Sequence, residues 1–379
     1  MRKFSNIKIV LFVAALSFFF MQHTIQRYRV DYGEVVDQYK QPVKFWPKPV
    51  VDGSVKWKEF EAIAWDSNYY ETQELPEVLL GKKLFFDPKL SSSSQISCSS
   101  CHNPEMGWAD RQEVALGNDH LQGKRNTQSL FNIGERDSYF WDGRAKTLEE
   151  QLVGPISAHN EMNMKPEKLA GKLAKYTEYR KLFKEAYQSD KITFDKIARA
   201  LATFQKTIRS QPSKLDKFMN GDYKALTDKE IYGMHLFRTK AGCMNCHYGK
   251  YLTDESFHNI GLTYYKREYE DLGRYNITKD PKDVGKFKTP SLRDLNYTAP
   301  WMHNGLMDDL HGIVSLYNSG MQMINPTPDE KKADPNFPVT DHLMKPLNLT
   351  IKEQEALVDF LESMSGSYYK MPRPEIPRK

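Results

Sequence analysis

Cysteine is scarce in this 379-residue chain, with four in all. None lies near the N-terminus, so a lipid-modified cysteine is excluded as a membrane tether there. An excess of one charge sign is also missing, because 54 Lys and Arg face 49 Asp and Glu and several of the positive charges fall in the first thirty residues. That near balance argues against a nucleic-acid partner. The N-terminal apolar run, Ile9 to Met21, has 13 residues, short of the roughly 20 that a membrane-spanning helix needs. Strand-like alternation is sparse, which points to a mainly α chain. The length suits two domains, or one large domain with extensions.

What is present begins with a basic start (Arg2, Lys3, Lys8) ahead of the apolar run. This reads as an export signal, and therefore as a periplasmic protein. No clear A-x-A site follows, so cleavage of residues 1–29 and their retention as an inner-membrane anchor both fit. Residues 30–74 contain QPVKFWPKPVVDG, whose prolines and lack of helical spacing predict an extended linker.

All four cysteines fall in two C-x-x-C-H pentapeptides, CSSCH (Cys98, Cys101, His102) and CMNCH (Cys243, Cys246, His247). Two thiols three positions apart can each add to a haem vinyl group, and the next histidine can ligate the iron. A thioredoxin-like redox pair, or a zinc site built from two C-x-x-C clips, would leave both histidines accidental. That coincidence is on the order of one in a thousand, which favours two covalent c-type haems. Gly81, Leu84 and Phe85 before the first clip recur as Gly233, Leu236 and Phe237 before the second, so two related haem domains are expected. The first copy carries seven extra residues between Phe85 and Cys98, including the run Ser91 to Ser94.

Helical patterns dominate from Leu75 onward. Capping boxes are expected at Thr147/Glu150, Thr227/Glu230 and Thr350/Glu353. Residues 196–208 have helical apolar spacing, and Leu357, Val358, Phe360 and Leu361 form the apolar face of a last helix. The expected division is 75–211, 212–349 and a C-terminal helix and tail over 350–379, with the junction near Ser210 to Asp216. Residues 324–342 read as a long surface loop and MPRPEIPRK as a disordered tail.

In this order the chain carries LGKKLFFDPKLSSSSQISCSSCHNP, GKRN, FWDGRA, GPISAHNEMN, GCMNCH, KTPSLRDL and TAPWMHNG. The series, over roughly residues 75–365, resembles the bacterial dihaem cytochrome c peroxidases and the related MauG-type enzymes. The resemblance implies two cytochrome c-like haem domains. Hydrogen peroxide would be reduced at the N-terminal haem (proximal ligand His102), with electrons from a small redox protein such as a cytochrome c entering through the C-terminal one (proximal ligand His247). Trp141 matches the family tryptophan between the haems, Glu161 the distal acid and Gln151 a neighbouring polar residue. Asn126, Thr298 and Pro300 match positions that hold a calcium ion between the domains. A homodimer is also consistent with the resemblance.

Two departures from the pattern matter. Many dihaem peroxidases place a histidine before the GKRN-like motif, which blocks the peroxidatic haem until reduction. Asn118 aligns there, with His120 two residues on, so this haem is expected to be open without reductive activation. The second concerns the distal ligand of the C-terminal haem, usually a methionine fourteen residues after the histidine of PxxHxG. Counting from His303 gives Tyr317, as in MauG-type enzymes, with Met321 and Met323 as rivals. A thioether favours reduced iron, whereas a phenolate favours the oxidised metal. The chain is thus read as a dihaem peroxidase, with a MauG-type oxidase of a partner protein and a plain electron carrier as alternatives. His159, His258, His311 and His342 are expected to be ordinary polar histidines.

Overall fold

The computed structural model describes residues 32–322, 325–367 and 371–377. The leader or anchor expected over 1–29 lies outside the described residues, as does Met323. Among the described residues, the helices of eight or more residues are α1 (Pro76–Phe86), α2 (Leu148–Ser157), α3 (Pro166–Leu173), α4 (Thr177–Tyr187), α5 (Phe194–Gln205), α6 (Asp228–Arg238), α7 (Leu310–Asn318) and α8 (Ile351–Ser363). The only ladder named among them is the two-residue antiparallel pair β1 (Phe257–His258) and β2 (Phe287–Lys288), so the mainly α expectation holds.

Among the described residues, two large apolar cores organise the fold. The first gathers Leu84, Phe85, Leu169, Phe183, Leu201 and Phe204 from α1, α3, α4 and α5. The second gathers Ile231, Phe237, Val314, Leu357 and Phe360 from α6, α7 and α8. The internal repeat explains their likeness. At Gly81 an added Cβ would lie 1.9 Å from the Ala200 carbonyl oxygen and 2.8 Å from Phe204 Cβ, and at Gly233 it would lie 1.9 Å from the Ala356 oxygen and 2.9 Å from Phe360 Cβ. Each glycine therefore lets one helix cross another at backbone contact, α1 on α5 and α6 on α8. The pattern also repeats on the far helices, as Ala200/Phe204 and Ala356/Phe360, a match that sequence reading missed.

Opposite effects follow for two glycine-to-alanine changes. Gly233→Ala forces the α6–α8 crossing apart and is expected to cost roughly 1–3 kcal/mol, the usual penalty of overpacking. Gly171→Ala, on the exposed side of α3 with nothing within 4 Å, should stabilise by up to about 1 kcal/mol through helix propensity. Denaturant melts of the holoprotein check both signs.

Capping follows the expected sites with one difference. Thr227 with Glu230 and Thr350 with Glu353 form full reciprocal boxes at α6 and α8. Thr147 accepts from the Glu150 amide at the start of α2, but the Glu150 side chain accepts instead from the Lys146 amide at 2.8 Å.

The stretch expected as an extended linker is integral to the second core. Val36, Tyr39, Trp46 and Phe60 are buried there, and the Asp52 amide donates to Asn245 Oδ1, inside the second clip, at 2.7 Å. Three prolines broke the helical pattern without preventing burial of Trp46 between them or of Tyr39 and Phe60 on either side. The expected loop at 324–342 contains the helical turn Pro328–Ala333. The tail expected to be disordered lies on the first core, with Met371 and Ile376 packed against it and Lys83 and Lys89 donating to the carbonyls of Glu375 and Pro377. The last long helix, α8, belongs to the second core rather than to an appendage.

At the junction the two halves interlock through polar groups. Ser210 pairs with Asn132 of the first half and with buried Asp294 of the second. Arg125 reaches Asp142 at 2.6 Å and clamps Asp271 with bonds of 2.6 and 2.9 Å. Such a bidentate, largely buried pair fixes orientation more strongly than a surface ion pair. No helix of the described residues is long and apolar enough to cross a membrane.

Candidate functional site

Each clip is a single tight turn. Ser97 and Ser100 cap the turn Cys98–Cys101 reciprocally, while Gly242, at φ +61°, opens the 3-10 turn Cys243–Asn245. In both, the histidine amide donates to the carbonyl of the first cysteine at 2.9 Å. The turn thereby presents two thiols and an imidazole from one short segment.

Both imidazoles are held in the same way. His102 Nδ1 lies 3.1 Å from the Trp108 carbonyl and His247 Nδ1 lies 2.9 Å from the Leu252 carbonyl. A carbonyl partner makes Nδ1 the protonated nitrogen and leaves Nε2 free for a metal. Burial lowers the pKa of both rings, which keeps them neutral. Trp108 and Leu252 both adopt left-handed backbone angles, φ +58° and +53°, an uncommon conformation for such side chains. The sequence reading missed these carbonyls; their signal was the common spacing of five or six residues after each C-x-x-C-H.

None of the four cysteines is in a disulfide. Burial pushes Cys98, Cys101 and Cys243 up to about 12 and raises Cys246 as well. A catalytic dithiol needs the opposite shift, and Cys98 and Cys243 pack against different cores, which argues against a shared four-cysteine zinc. Neutral thiols beside neutral, oriented imidazoles fit covalently held haem.

A cavity of about 480 Å³ lies against the second clip, lined by Cys243, Cys246, His247 and Tyr317. Trp141, from the first half, forms part of the same wall, as do Asn126, Thr298, Pro300 and His303. Trp141 is buried and donates from Nε1 to the Asn126 carbonyl at 3.0 Å. His303 meets it edge-on at 6.5 Å and stacks on Phe287 at 3.6 Å. The Asn126 amide nitrogen donates to the Gln112 carbonyl at 3.0 Å.

Tyr317 lies on the last turn of α7. Burial, and then the neighbouring thiols of Cys246 and Cys243, hold its pKa above the ordinary tyrosine value. Ionisation in that setting requires a compensating cation, the role a ferric iron would fill. Met321 is buried but is not on the cavity wall; the methionines there are Met302 and Met344, which sequence reading did not consider. His258 also lines the cavity, held between Asp341 at 2.6 Å and Asp254 at 2.8 Å. Burial opposes its charge, but the bonds from Asp254 and Asp341, with Cys246 close by, push its pKa up to about 12. Two carboxylates hold it inside the site, so it is not an ordinary surface histidine. His159, His311 and His342 are exposed.

Glu161 sits in the turn that follows α2, with its amide donating to the Ala158 carbonyl at 3.1 Å. It lies close enough to the first clip to raise the Cys101 pKa. Burial raises its own pKa, and Arg144 only partly offsets this. The Asn118 amide donates to the Glu161 carbonyl at 2.8 Å. Gly117 permits that approach, since a Cβ there would lie 2.2 Å from the Asn160 oxygen. His120 is exposed. Gln151 is half-buried on α2 and makes no side-chain hydrogen bond to Glu161 among the described residues.

Residues 76–224 match the family described as di-haem cytochrome c peroxidase. A cytochrome-c peroxidase, IdrP1, of Pseudomonas sp. (strain SCT) is 33% identical over 78% of this chain and 82% of that protein. The methylamine utilization protein MauG of Methylorubrum extorquens is 36% identical over 79% of this chain and 81% of its own. Among solved structures, a MauG-like protein associated with microbial copper homeostasis superposes with a TM-score of 0.69 at 28% identity, covering 85% of this chain and 94% of that one.

Proposed function

Because this chain belongs to the di-haem cytochrome c peroxidase family that includes MauG, and so carries two c-type haems, we propose that it reduces hydrogen peroxide to water at the His102 site. The electrons would come one at a time from a small redox protein, in the periplasm. The overall chemistry consumes two electrons and two protons per peroxide and releases two waters. Haem iron supplies the site that binds peroxide and the electrons that break its O–O bond. The chain's own residues do the rest.

The observation that carries this reading is the half-buried Glu161 carboxyl beside the first clip. Breaking the O–O bond requires a proton to move from the inner to the outer oxygen, and a carboxyl whose pKa burial has raised holds that proton better than an ordinary glutamate before returning it. Trp141 supports coupling between the two halves, because its ring belongs to one and walls the cavity of the other. Gln151 would hold the distal water or peroxide from α2. A calcium ion coordinated by Asn126 Oδ1 and the carbonyls of Thr298 and Pro300 belongs to the same reading; these are neutral oxygens, which calcium accepts. The domain division follows the two cores, a first haem domain ending near 211 and a second that includes α8 and the arm 33–63.

A second reading, oxidation of a partner protein as in MauG-type enzymes, is favoured by Tyr317 on the cavity wall. Both readings have an open first haem, since Asn118 replaces the blocking histidine and His120 faces solvent. EPR of the fully oxidised holoprotein should therefore contain a high-spin ferric component from the first haem without prior reduction. Asn118→His should convert it to a low-spin form that turns over only after partial reduction. An entirely low-spin oxidised spectrum in the unsubstituted protein would sink the open-site expectation, and no peroxide turnover with any reduced cytochrome would leave the electron-carrier alternative.

A further inference from the structure

We infer that the arm assumed to be a linker carries a redox-active tyrosine: Tyr39, hydrogen-bonded to His235, stores one oxidising equivalent outside the haem pair. This rests on the family reading only for the source of the oxidant. Tyr39 is fully buried, and its hydroxyl lies 3.1 Å from His235 Nδ1. A buried phenol cannot give up an electron without also giving up its proton, so the neighbouring base decides whether it can be oxidised.

His235 suits that task. Burial and the nearby Arg238 lower its pKa, leaving a neutral ring able to accept the proton, and burial raises that of Tyr39, so the phenol stays protonated at rest. His235 is itself half-exposed on α6, which gives the proton a way to solvent. The charged groups facing the phenol are Arg238 and Glu59, paired to each other with one bond of 2.9 Å.

The pair is connected inward and outward. Inward, the Arg238 guanidinium lies 5.9 Å from the Tyr39 ring and 3.8 Å from the sulfur of Met244, which sits between the two cysteines of the second clip. Outward, the His235 ring stacks on Tyr232 at 6.4 Å and Tyr232 stacks on Tyr32 at 4.8 Å, both half-buried. In the step itself, a one-electron oxidant, which peroxide chemistry at the haems would supply, removes one electron from the Tyr39 ring. The O–H bond breaks, an N–H bond forms at His235 Nδ1, and a neutral phenoxyl stands beside an imidazolium. A one-electron reductant at the Tyr232/Tyr32 end returns the electron, and the proton returns from His235.

The test is EPR of the holoprotein frozen after peroxide, and separately after flash-quench oxidation with a photosensitiser, which needs no peroxide chemistry. A tyrosyl signal is expected in the unsubstituted protein and should be lost in Tyr39→Phe, which keeps the ring packing. His235→Phe keeps the stack but removes the base and should also lose the signal while Tyr39 remains. Mass spectrometry after spin trapping should locate the adduct on Tyr39 or its outward neighbours. An unchanged signal in Tyr39→Phe, or no tyrosyl signal under either oxidant, overturns the inference. A signal that appears only with the photosensitiser sustains it and counts against the peroxidase reading instead.

Discussion

Glu161→Gln is expected to lower peroxide-dependent turnover by roughly 10²–10⁴-fold, the usual contribution of a positioned general acid–base group. The amide keeps the shape and a polar end but cannot take the proton of bound peroxide or return it to the leaving oxygen. The pH dependence follows from the direction of the Glu161 shift. To accept the first proton the carboxyl must be ionised, and burial has moved its pKa above the ordinary glutamate value. As pH falls through that raised pKa the base is neutralised, so kcat/KM should decline on the acid side at a higher pH than an exposed glutamate would allow. In Glu161→Gln that acid limb should vanish along with most of the rate.

Stability separates this role from a structural one. A carboxyl whose folded pKa is raised contributes its full stability below the unfolded pKa, and that contribution is lost as pH rises through the folded pKa. At neutral pH the native Glu161 is therefore a burden on the fold. The glutamine variant should melt no lower than the unsubstituted protein there, and both haem spectra should be unchanged. A variant that loses activity and stability together, with altered spectra, would show that Glu161 holds the turn after α2 rather than moving protons.

Tyr317→Met should raise the reduction potential of the second haem by on the order of a few hundred millivolts, within the range over which axial ligands tune haem. The phenol is confined in a cavity that resists its ionisation, so a phenolate there would need a cation such as oxidised iron to stabilise it. Reducing the iron removes that partner charge, which makes reduction unfavourable. A thioether carries no charge to strand, and so favours the reduced metal. Redox titration followed by absorbance should show the shift, with the loss of a phenolate-type spectrum. If Tyr317→Met changes neither, while Met344→Leu or Met302→Leu does, the ligand is one of the methionines on the cavity wall. The same measurement bears on function, because a low-potential second haem suits retention of oxidising power and a high-potential one suits easy electron entry.

The two haem clips, the repeated helix before each of them and the order of the site motifs were determined by sequence alone. Each is a local code: two cysteines and a histidine on one turn, a glycine and a phenylalanine on one helix face, Thr with Glu at a helix start. Tertiary structure decided what depends on contact between distant segments. It drew the proline-rich arm into the second core, since Tyr39, Trp46 and Phe60 gain more from burial than the broken helical pattern suggests. It laid the tail across the first core and put Met302 and Met344, rather than Met321, on the cavity wall. It also chose the carbonyls of Trp108 and Leu252 as partners for the two imidazoles, through backbone angles that no residue type announces. Glu161 illustrates the division most directly. Its place in HNEMN was visible in the chain, but only packing of the turn after α2, with Gly117 and Asn118 pressed against it, raises its pKa toward the pH at which it would work.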